Sequence, residues 1–213
     1  MNPEKITESL IIFSRYPEAG KTKTRMIPVL GPEGAARLQR EMTEHTLRQA
    51  QQLQSKRARS IEIHFTGGSQ QLMVEWLGGD LLYLPQSNGD LGHRMMSAFK
   101  SSFDRGINKV LIIGIDCPDL NAVLMAEAFD RLEKRDLVLG PAEDGGYYLI
   151  GLNSLVPELF LNINWGSSEV LDRTKNIANK LGLNIGYLKT LNDVDRPEDL
   201  SIWQQYNANN LQP

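Results

Sequence analysis

Two apolar segments of this sequence end in glycine and aspartate, and that arrangement limits the folds that the chain can adopt. Residues 110–115 are apolar apart from one glycine and run directly into Asp116. Residues 138–152 hold Asp144 and two adjacent glycines between apolar stretches rich in strand-forming residues. Glycine suits turns that need a positive φ or a close approach of the backbone. Open α/β sheets place ligand sites at the carboxyl ends of such strands, so the pattern favours an enzyme with this architecture.

The remaining sequence alternates between strand patterns and helix patterns. Strands are predicted at about residues 10–14, 60–66, 81–84, 110–116 and 184–188, with a further pair of strands around residues 144–146. Helices are predicted at about residues 31–53, 69–77, 91–103, 120–134, 167–181 and after Pro197. This alternation predicts a three-layer α/β sandwich, in which helices cover both faces of a mostly parallel sheet. The short turn at residues 144–146 predicts one antiparallel excursion, and we expect a single domain over residues 1–213.

Composition argues against several classes of protein. The net charge of −3 gives no general attraction to nucleic acid. Cys117 is the only cysteine, which excludes an intrachain disulfide and a zinc site built from several cysteines. No apolar run reaches the roughly eighteen residues of a membrane span, and the polar N-terminus is unlike a signal peptide. We therefore expect a cytoplasmic protein with small-molecule substrates, and the sequence leaves a homo-oligomer open.

A basic loop follows the first predicted strand. Within eleven residues it carries four cations, which are Arg15, Lys21, Lys23 and Arg25. A glycine-containing loop with several cations at a strand end suits a phosphate group through charge-assisted hydrogen bonds. Only a Gly-Lys-Thr fragment of a P-loop is present, so that motif is disfavoured. A solvated basic surface is the alternative, but the position directly after the first strand favours phosphate binding.

Acidic residues at two strand ends are candidates for binding a divalent cation. Asp116 follows an apolar strand, where one carboxylate can hold Mg²⁺ or Mn²⁺ that bridges phosphate oxygens. The alternative role for Asp116 is to cap the next helix, although Asp119 is better placed for that role. Asp193 and Asp195 follow the strand at residues 184–188, and either of them offers a second ligand.

Two further segments are candidates for binding a substrate. Asn88, Gly89 and Arg94 lie where a helix begins, and they suit contacts with a nucleobase, a ribose or a phosphate. An ordinary loop with a helix cap explains the same residues equally well. Trp165 precedes the helix that is expected from Ser167, and it is either a wall of the acceptor side or part of the core. The three histidines share no metal-ligand spacing and are expected at the surface or half-buried.

Five motifs occur in the order found in a known family. They are Phe13-Ser-Arg-x-Pro-x-x-Gly-Lys-x-Lys-Thr-Arg25, Asn88-Gly-Asp-Leu-Gly-x-Arg94, Ile113-Gly-Ile-Asp-Cys-Pro118, Gly140-Pro-Ala-x-Asp-Gly-Gly-Tyr-Tyr-Leu-Ile-Gly151 and Asp193-Val-Asp-x-Pro-Glu-Asp199. Together they resemble the DUF2064 family, small bacterial proteins often described as glycosyltransferases, some of them assigned to arsenosugar biosynthesis. The resemblance implies the GT-A fold of the nucleotide-diphospho-sugar transferase superfamily. The layout is more distantly similar to 2-phospholactate and molybdenum-cofactor guanylyltransferases and to Kdo cytidylyltransferases.

The resemblance also implies roles for individual residues. Two aspartates bind the catalytic metal in the wider superfamily, and by resemblance these are Asp116 and Asp195. By resemblance the first loop holds the nucleotide phosphates, through Arg15, Lys21, Lys23 and Arg25. Asn88, Gly89 and Arg94 stay the further candidates for donor binding. The implied catalytic residues are Asp116, Asp144 and Lys23. The implied acceptor-binding residues are Asp144, Gly145, Gly146, Tyr147 and Trp165.

The implied function is a metal-dependent transferase, most specifically a glycosyltransferase that moves a sugar from a nucleotide-sugar to a small acceptor. The alternatives are a nucleotidyltransferase that joins an NTP to a phosphorylated acceptor, and a nucleotide-binding module without catalysis. The first loop lacks the glycine-dense sequence of nucleotidyltransferases, because Gly20 stands alone. We expect Asp116 and Asp195 to lie close enough to share one cation, with Asp193 as the substitute if they do not. We also expect Gly146 to need a positive φ at the edge of the pocket.

Overall fold

A seven-stranded sheet forms the centre of the molecule in the computed structural model, which describes residues 6–55 and 59–210. The strands are β1 (Glu8–Arg15), β2 (Ser60–Thr66), β3 (Leu82–Pro85), β4 (Lys109–Ile113), β5 (Leu137–Pro141), β6 (Tyr147–Leu152) and β7 (Ile185–Tyr187). Their order across the sheet is β3-β2-β1-β4-β6-β5-β7. The strands β3, β2, β1 and β4 run parallel, whereas β6 is antiparallel to both β4 and β5. The mostly parallel sheet with one antiparallel excursion is therefore confirmed.

Six α-helices connect or follow these strands. They are α1 (Ile27–Gln54), α2 (Gln70–Leu77), α3 (Leu91–Asp104), α4 (Ala122–Arg131), α5 (Val170–Lys180) and α6 (Leu200–Asn210). The helix α1 begins four residues before the predicted start and contains a kink at Gly31, whose φ is 69°. That positive φ suits glycine and not other residues. The helix therefore changes direction just after the basic loop. No helix among the described residues has the length and apolar character needed to cross a membrane.

The core lies in two layers, one on each face of the sheet, because successive side chains of a strand point to opposite faces. In β1, Leu10 and Ile12 pack with α1, α2, α4 and α6, whereas Ile11 packs with α3 and α5 on the other face. In β4, Leu111 packs in the same layer as Leu10, and Ile112 packs in the same layer as Ile11. Helices therefore cover both faces, and the predicted three-layer sandwich is confirmed.

Several boundaries at the carboxyl edge differ from the sequence-based expectation. The strand β4 ends at Ile113, so Asp116 lies in the loop that follows it and not at the last strand position. Asn121, and not Asp119, caps α4, because the Asn121 side chain accepts hydrogen bonds from two backbone N–H groups of the first turn. The helix α5 begins at Val170, three residues later than expected, and no side chain caps it. These differences leave longer loops at the edge where a site would lie.

Candidate active site

A cleft of about 680 Å³ opens at the carboxyl edge of the central strands. Its walls come from the basic loop after β1, the loop after β4, the turn between β5 and β6, the segment before α5, and the loop after β7. Ten of the singled-out residues line it, which are Arg15, Lys23, Arg25, Asp116, Asp144, Gly146, Tyr147, Trp165, Asp193 and Asp195. Parallel strands bring their carboxyl ends to one edge, and this topology explains how segments far apart in sequence meet here.

Lys23 joins the basic loop to the loop after β4. Its side chain is only 5% exposed, and its ammonium donates hydrogen bonds to Asp116 Oδ1 at 2.7 Å and to the Val194 carbonyl at 2.5 Å. The backbone of Lys23 is left-handed, with φ 44° and ψ 44°. A non-glycine residue in that region is strained by roughly 1–2 kcal/mol. The local structure therefore holds a buried ammonium beside Asp116, whose carboxylate is still 46% exposed in the cleft.

Arg25 makes the second link between the basic loop and an acidic loop. Its guanidinium is ion-paired with the carboxylate of Asp195. The Arg25 side chain is 60% exposed and that of Asp195 is 34% exposed. A pair so open to water is worth at most about 1 kcal/mol. The two aspartates expected to hold one metal are thus each paired with a cation of the basic loop, and a ligand can displace Arg25 at little cost.

Three acidic residues face one another at the floor of the cleft. Burial raises the pKa of Asp193 to about 6, and repulsion from Asp144 and, more weakly, from Asp116 adds to that increase. Burial also raises the pKa of the neighbouring Cys117 thiol, and the same three carboxylates add to the shift. Cys117 is therefore a protonated, buried side chain and not a nucleophile. Three carboxylates thus share this floor, and only Asp116 of the three is paired with Lys23 among the described residues.

The donor set at this floor fits a hard divalent cation. Mg²⁺ and Mn²⁺ prefer carboxylate oxygens, and a cation here would relieve the repulsion that raises the pKa of Asp193. In the arrangement described for residues 6–55 and 59–210, no three His, Cys, Asp or Glu side chains already converge with the geometry of a metal site. The carboxylates of this floor are the side chains that would hold such a cation.

The turn between β5 and β6 positions Asp144 at the cleft. The backbone N–H of Gly146 donates to Asp144 Oδ1 at 2.8 Å, which fixes the direction of the carboxylate. The expectation that Gly146 takes a positive φ is wrong, because the positive φ of 87° belongs to Gly145. A Cβ atom on Gly145 would lie 2.1 Å from the carbonyl oxygen of Ser168. Gly145 is therefore the glycine that lets this turn pack against the segment before α5.

Aromatic side chains form the wall next to that turn. The ring of Tyr147 meets Trp165 edge to face, with the ring centroids 6.5 Å apart. The indole of Trp165 also lies against Gly92 in the first turn of α3, where a Cβ atom would come within 2.6 Å of the indole nitrogen. The motif glycine at position 92 is thus required for the close packing of α3 against Trp165.

Other residues singled out from the sequence lie outside the cleft wall. Lys21 pairs with Glu18 on the exposed surface. The Arg94 guanidinium donates to the Gly89 carbonyl at 3.0 Å, and Asp90 caps α3. Lys21, Asn88, Gly89, Arg94 and Gly145 do not themselves line the cleft, although the two neighbours of Gly145 and Leu91 of the Asn88 motif do. The Asn88 motif thus contains the helix cap, and contact of Asn88, Gly89 or Arg94 with a ligand stays a prediction.

Sequence reasoning missed the polar side chains at the end of β1. Gln39 of α1, Gln86 after β3 and Thr66 at the end of β2 all line the cleft. Gln39 is 5% exposed and lies on the buried side of α1 beside Leu38 and Met42, and its polar side chain did not mark it as part of a site. The sequence signal for a site at this end of the sheet was the pair Gly67-Gly68, directly after β2. In the structure both glycines have a positive φ, and a Cβ on Gly68 would overlap the ring of Tyr16.

Comparisons with solved structures agree with this topology. A protein from Desulfovibrio desulfuricans G20, provisionally assigned as a nucleotide-diphospho-sugar transferase, is 33% identical with a TM-score of 0.89. The alignment covers 97% of this chain and 90% of that one. CMP:2-keto-3-deoxy-manno-octonic acid synthetase in complex with CTP is 10% identical with a TM-score of 0.61, over 95% of this chain and 99% of that one. The 4-diphosphocytidyl-2C-methyl-D-erythritol synthase from Anaerococcus prevotii DSM 20548 is 12% identical with a TM-score of 0.63, over 97% of both chains. At such low identity the last two comparisons show the fold alone.

The fold is therefore that of the nucleotide-diphospho-sugar transferases. The family model described as "Uncharacterized protein conserved in bacteria (DUF2064)" matches residues 46–167. This match and the 33% identity over most of the chain show that the protein belongs to the DUF2064 family. No curated protein shows significant similarity to the sequence.

Proposed function

We propose that this protein is a metal-dependent transferase with a nucleotide-activated donor, and most specifically a glycosyltransferase. It would move a sugar from a nucleotide-sugar to a small acceptor. The observation that carries this proposal is the meeting of Lys23 and Arg25 with four aspartates in one cleft at the carboxyl edge. The provisional name of the 33% identical relative supports the same class of enzyme.

The cations of the basic loop would bind the diphosphate of the donor. Arg25 is 60% exposed and can turn from Asp195 to a phosphate oxygen, and Arg15 lies at the end of β1 on the same wall. Lys23 is fixed before any ligand arrives. A preorganised ammonium stabilises charge that develops on a departing nucleoside diphosphate without further rearrangement.

Asp116 and Asp193 are the residues we expect to hold Mg²⁺ or Mn²⁺. Both line the cleft, and neither is paired with Arg25. A bound divalent cation would supply electrostatic stabilisation of the phosphate oxygens. Asp195 is the alternative second ligand, because its carboxylate is freed when Arg25 turns to a phosphate oxygen.

Asp144 is placed to act on the acceptor. The Gly146 N–H holds one oxygen of its carboxylate, and the side chain borders the cleft beside Tyr147 and Trp165. A carboxylate held in this way can accept the proton of an acceptor hydroxyl as that hydroxyl attacks the sugar carbon. The sugar–phosphate bond then breaks, and the nucleoside diphosphate leaves towards the basic loop.

A nucleotidyltransferase is the second candidate, and one observation favours it. Two of the structures with the same fold have CMP or diphosphocytidyl in their names, and the first of them is complexed with CTP. In that reaction an acceptor phosphate would attack the α-phosphate of an NTP. Lys23 and Arg25 would then stabilise the pyrophosphate that leaves.

The products distinguish these two reactions. Purified protein with Mn²⁺ is incubated with each nucleotide-sugar and candidate acceptor hydroxyls, and separately with each NTP and candidate acceptor phosphates. Release of nucleoside diphosphate with a glycosylated acceptor supports the glycosyltransferase, and release of pyrophosphate supports the alternative. The variant Asp144→Asn should lose turnover but keep donor binding, whereas Asp172→Asn on the exposed surface of α5 should behave as wild type. Donor binding without either product would contradict both reactions and would indicate a nucleotide-binding module without catalysis.

A further inference from the structure

Two glutamine side chains converge on the carboxyl end of β1 with their amide groups held in a fixed direction. Gln39 Nε2 donates to the Arg15 carbonyl at 3.1 Å and lies 3.3 Å from Ser14 Oγ. Gln86 Nε2 donates to the His64 carbonyl at 2.9 Å and lies 3.5 Å from the Ser14 carbonyl. A backbone carbonyl can only accept a hydrogen bond, so each amide must turn its NH₂ group towards the strand ends.

The opposite end of each amide is a carbonyl oxygen that can only accept. Among the residues that the structure describes, none donates a hydrogen bond to Gln39 Oε1 or Gln86 Oε1, and neither oxygen is a fully buried atom without a partner. Both side chains line the cleft. Because the two NH₂ groups are occupied, the cleft at the end of β1 offers two acceptors from these residues.

We propose that Gln39 and Gln86 form the nucleobase subsite and select a base that carries an exocyclic amino group. This inference rests on the proposed function, because it assumes that the cleft binds a nucleotide-activated donor. The subsite lies beside Arg15, on the same cleft wall as the basic loop. One nucleotide can therefore place its base against the two amides and its phosphates against Lys23 and Arg25.

The pattern of donors and acceptors ranks the four common bases. Guanine presents two adjacent donors, N1–H and N2–H₂, and it is the base that can satisfy both amide oxygens. Cytosine and adenine each present one amino group. Uracil presents two carbonyl oxygens on either side of its single N–H, so at least one acceptor would face another acceptor. A buried polar group left without a partner lowers affinity by about tenfold to a hundredfold.

The first test compares nucleotides that differ only in the base. Isothermal titration of the full chain with GDP, CDP, ADP and UDP in the presence of Mn²⁺ should place GDP first and UDP last, with at least about a tenfold difference between them. Titration with inorganic pyrophosphate measures the affinity that the basic loop contributes without a base. If UDP binds as tightly as GDP, the subsite proposal is wrong while the proposed function stands. If no nucleoside diphosphate binds, the proposed function fails as well.

The second test asks whether the amide oxygen carries the discrimination. The variant Gln86→Met keeps the length of the side chain and removes the acceptor, so it should reduce the ratio of GDP to UDP affinity by about tenfold or more and leave pyrophosphate affinity unchanged. Gln52→Met, an exposed position on α1, is the matched control. The thermal midpoint of each variant shows whether it is folded. A folded Gln86→Met protein with the wild-type ratio would overturn the proposal.

Discussion

Two basic side chains of the cleft, Lys23 and Arg25, are held in different ways. Lys23 is buried and makes two hydrogen bonds, one of them to Asp116, so its position is set by the fold. Arg25 is largely exposed and bound to Asp195 only at the surface. An exposed ion pair contributes at most about 1 kcal/mol, whereas a hydrogen bond between a cation and a phosphate contributes roughly 1.5–3 kcal/mol. Arg25 should therefore exchange its aspartate for a nucleotide phosphate.

The first prediction follows from that difference. Arg25→Ala should weaken the binding of a nucleoside diphosphate with Mg²⁺ by about tenfold to a hundredfold, and should change the free energy of unfolding by no more than about 0.5 kcal/mol. Lys21→Ala is the matched control, because Lys21 belongs to the same loop but pairs with Glu18 away from the cleft. Titration calorimetry measures both variants. Equal affinities for Arg25→Ala and wild type would show that the basic loop is a solvated surface and not a phosphate site.

The second prediction concerns the pKa of Asp193, which is raised from an ordinary value of 3.8 to about 6. Because the folded protein binds this proton more tightly than the unfolded chain, Asp193 lowers the free energy of unfolding as the pH rises from about 4 to above 6. Without added divalent ions, Asp193→Asn should be more stable than wild type at pH 8 by roughly 1–2 kcal/mol after solvent screening. The difference should shrink below pH 5. Denaturant unfolding across pH checks it, and a constant difference would contradict the assignment.

At the scale of elements, the turn between β5 and β6 is docked on the start of α5. The Leu171 N–H donates to the Gly145 carbonyl at 2.9 Å, and the Ser168 carbonyl lies where a Cβ on Gly145 would be. The helix α5 has no side-chain cap of its own, so this contact satisfies one of its free N–H groups. The turn and α5 should therefore move together, and Asp144 with them.

The third prediction separates the two glycines of that turn. Gly145→Ala should lower the free energy of unfolding by roughly 2–4 kcal/mol, because the positive φ and the approach to the Ser168 backbone are both unfavourable for alanine. Gly146→Ala should change stability much less, since its Cβ would meet only the flexible Asp144 carboxylate at 3.1 Å. Denaturant melts of the two variants give the comparison. Equal losses of stability would show that the left-handed position does not control the turn.

At the scale of the whole molecule, the cleft joins segments from both halves of the chain. The basic loop after β1 contacts residues 116 and 195, so a nucleotide that bridges them should stabilise the entire fold. The fourth prediction is a single cooperative thermal transition whose midpoint rises by about 5–10 °C when nucleotide and Mn²⁺ are present at about a hundred times the dissociation constant. Differential scanning calorimetry measures it. Two separate transitions would contradict the expectation of one domain.

The sequence by itself determined the kind of fold and many of its elements. The strand β2 covers residues 60–66 as the alternation of side chains predicted, and α3 begins at Leu91 as its helical spacing predicted. Periodicity succeeds in these places because it reports which side of each element is buried, and that is a local property of the chain. The motifs also predicted that the basic loop, Asp116 and the turn at Asp144 lie at one edge of the sheet. They did not predict which side chains these residues contact.

Only the tertiary structure decided which of these residues meet. Lys23 contacts Asp116 across 93 residues of sequence, Arg25 contacts Asp195 across 170, and Gln39 turns its amide towards the end of β1. It also decided that Gly145, and not Gly146, takes the positive φ, because the carbonyl of Ser168 lies against it. Hydrophobic periodicity fixes the face of a helix or strand, whereas the partner of a polar side chain depends on how the sheet orders strands that are distant in the chain.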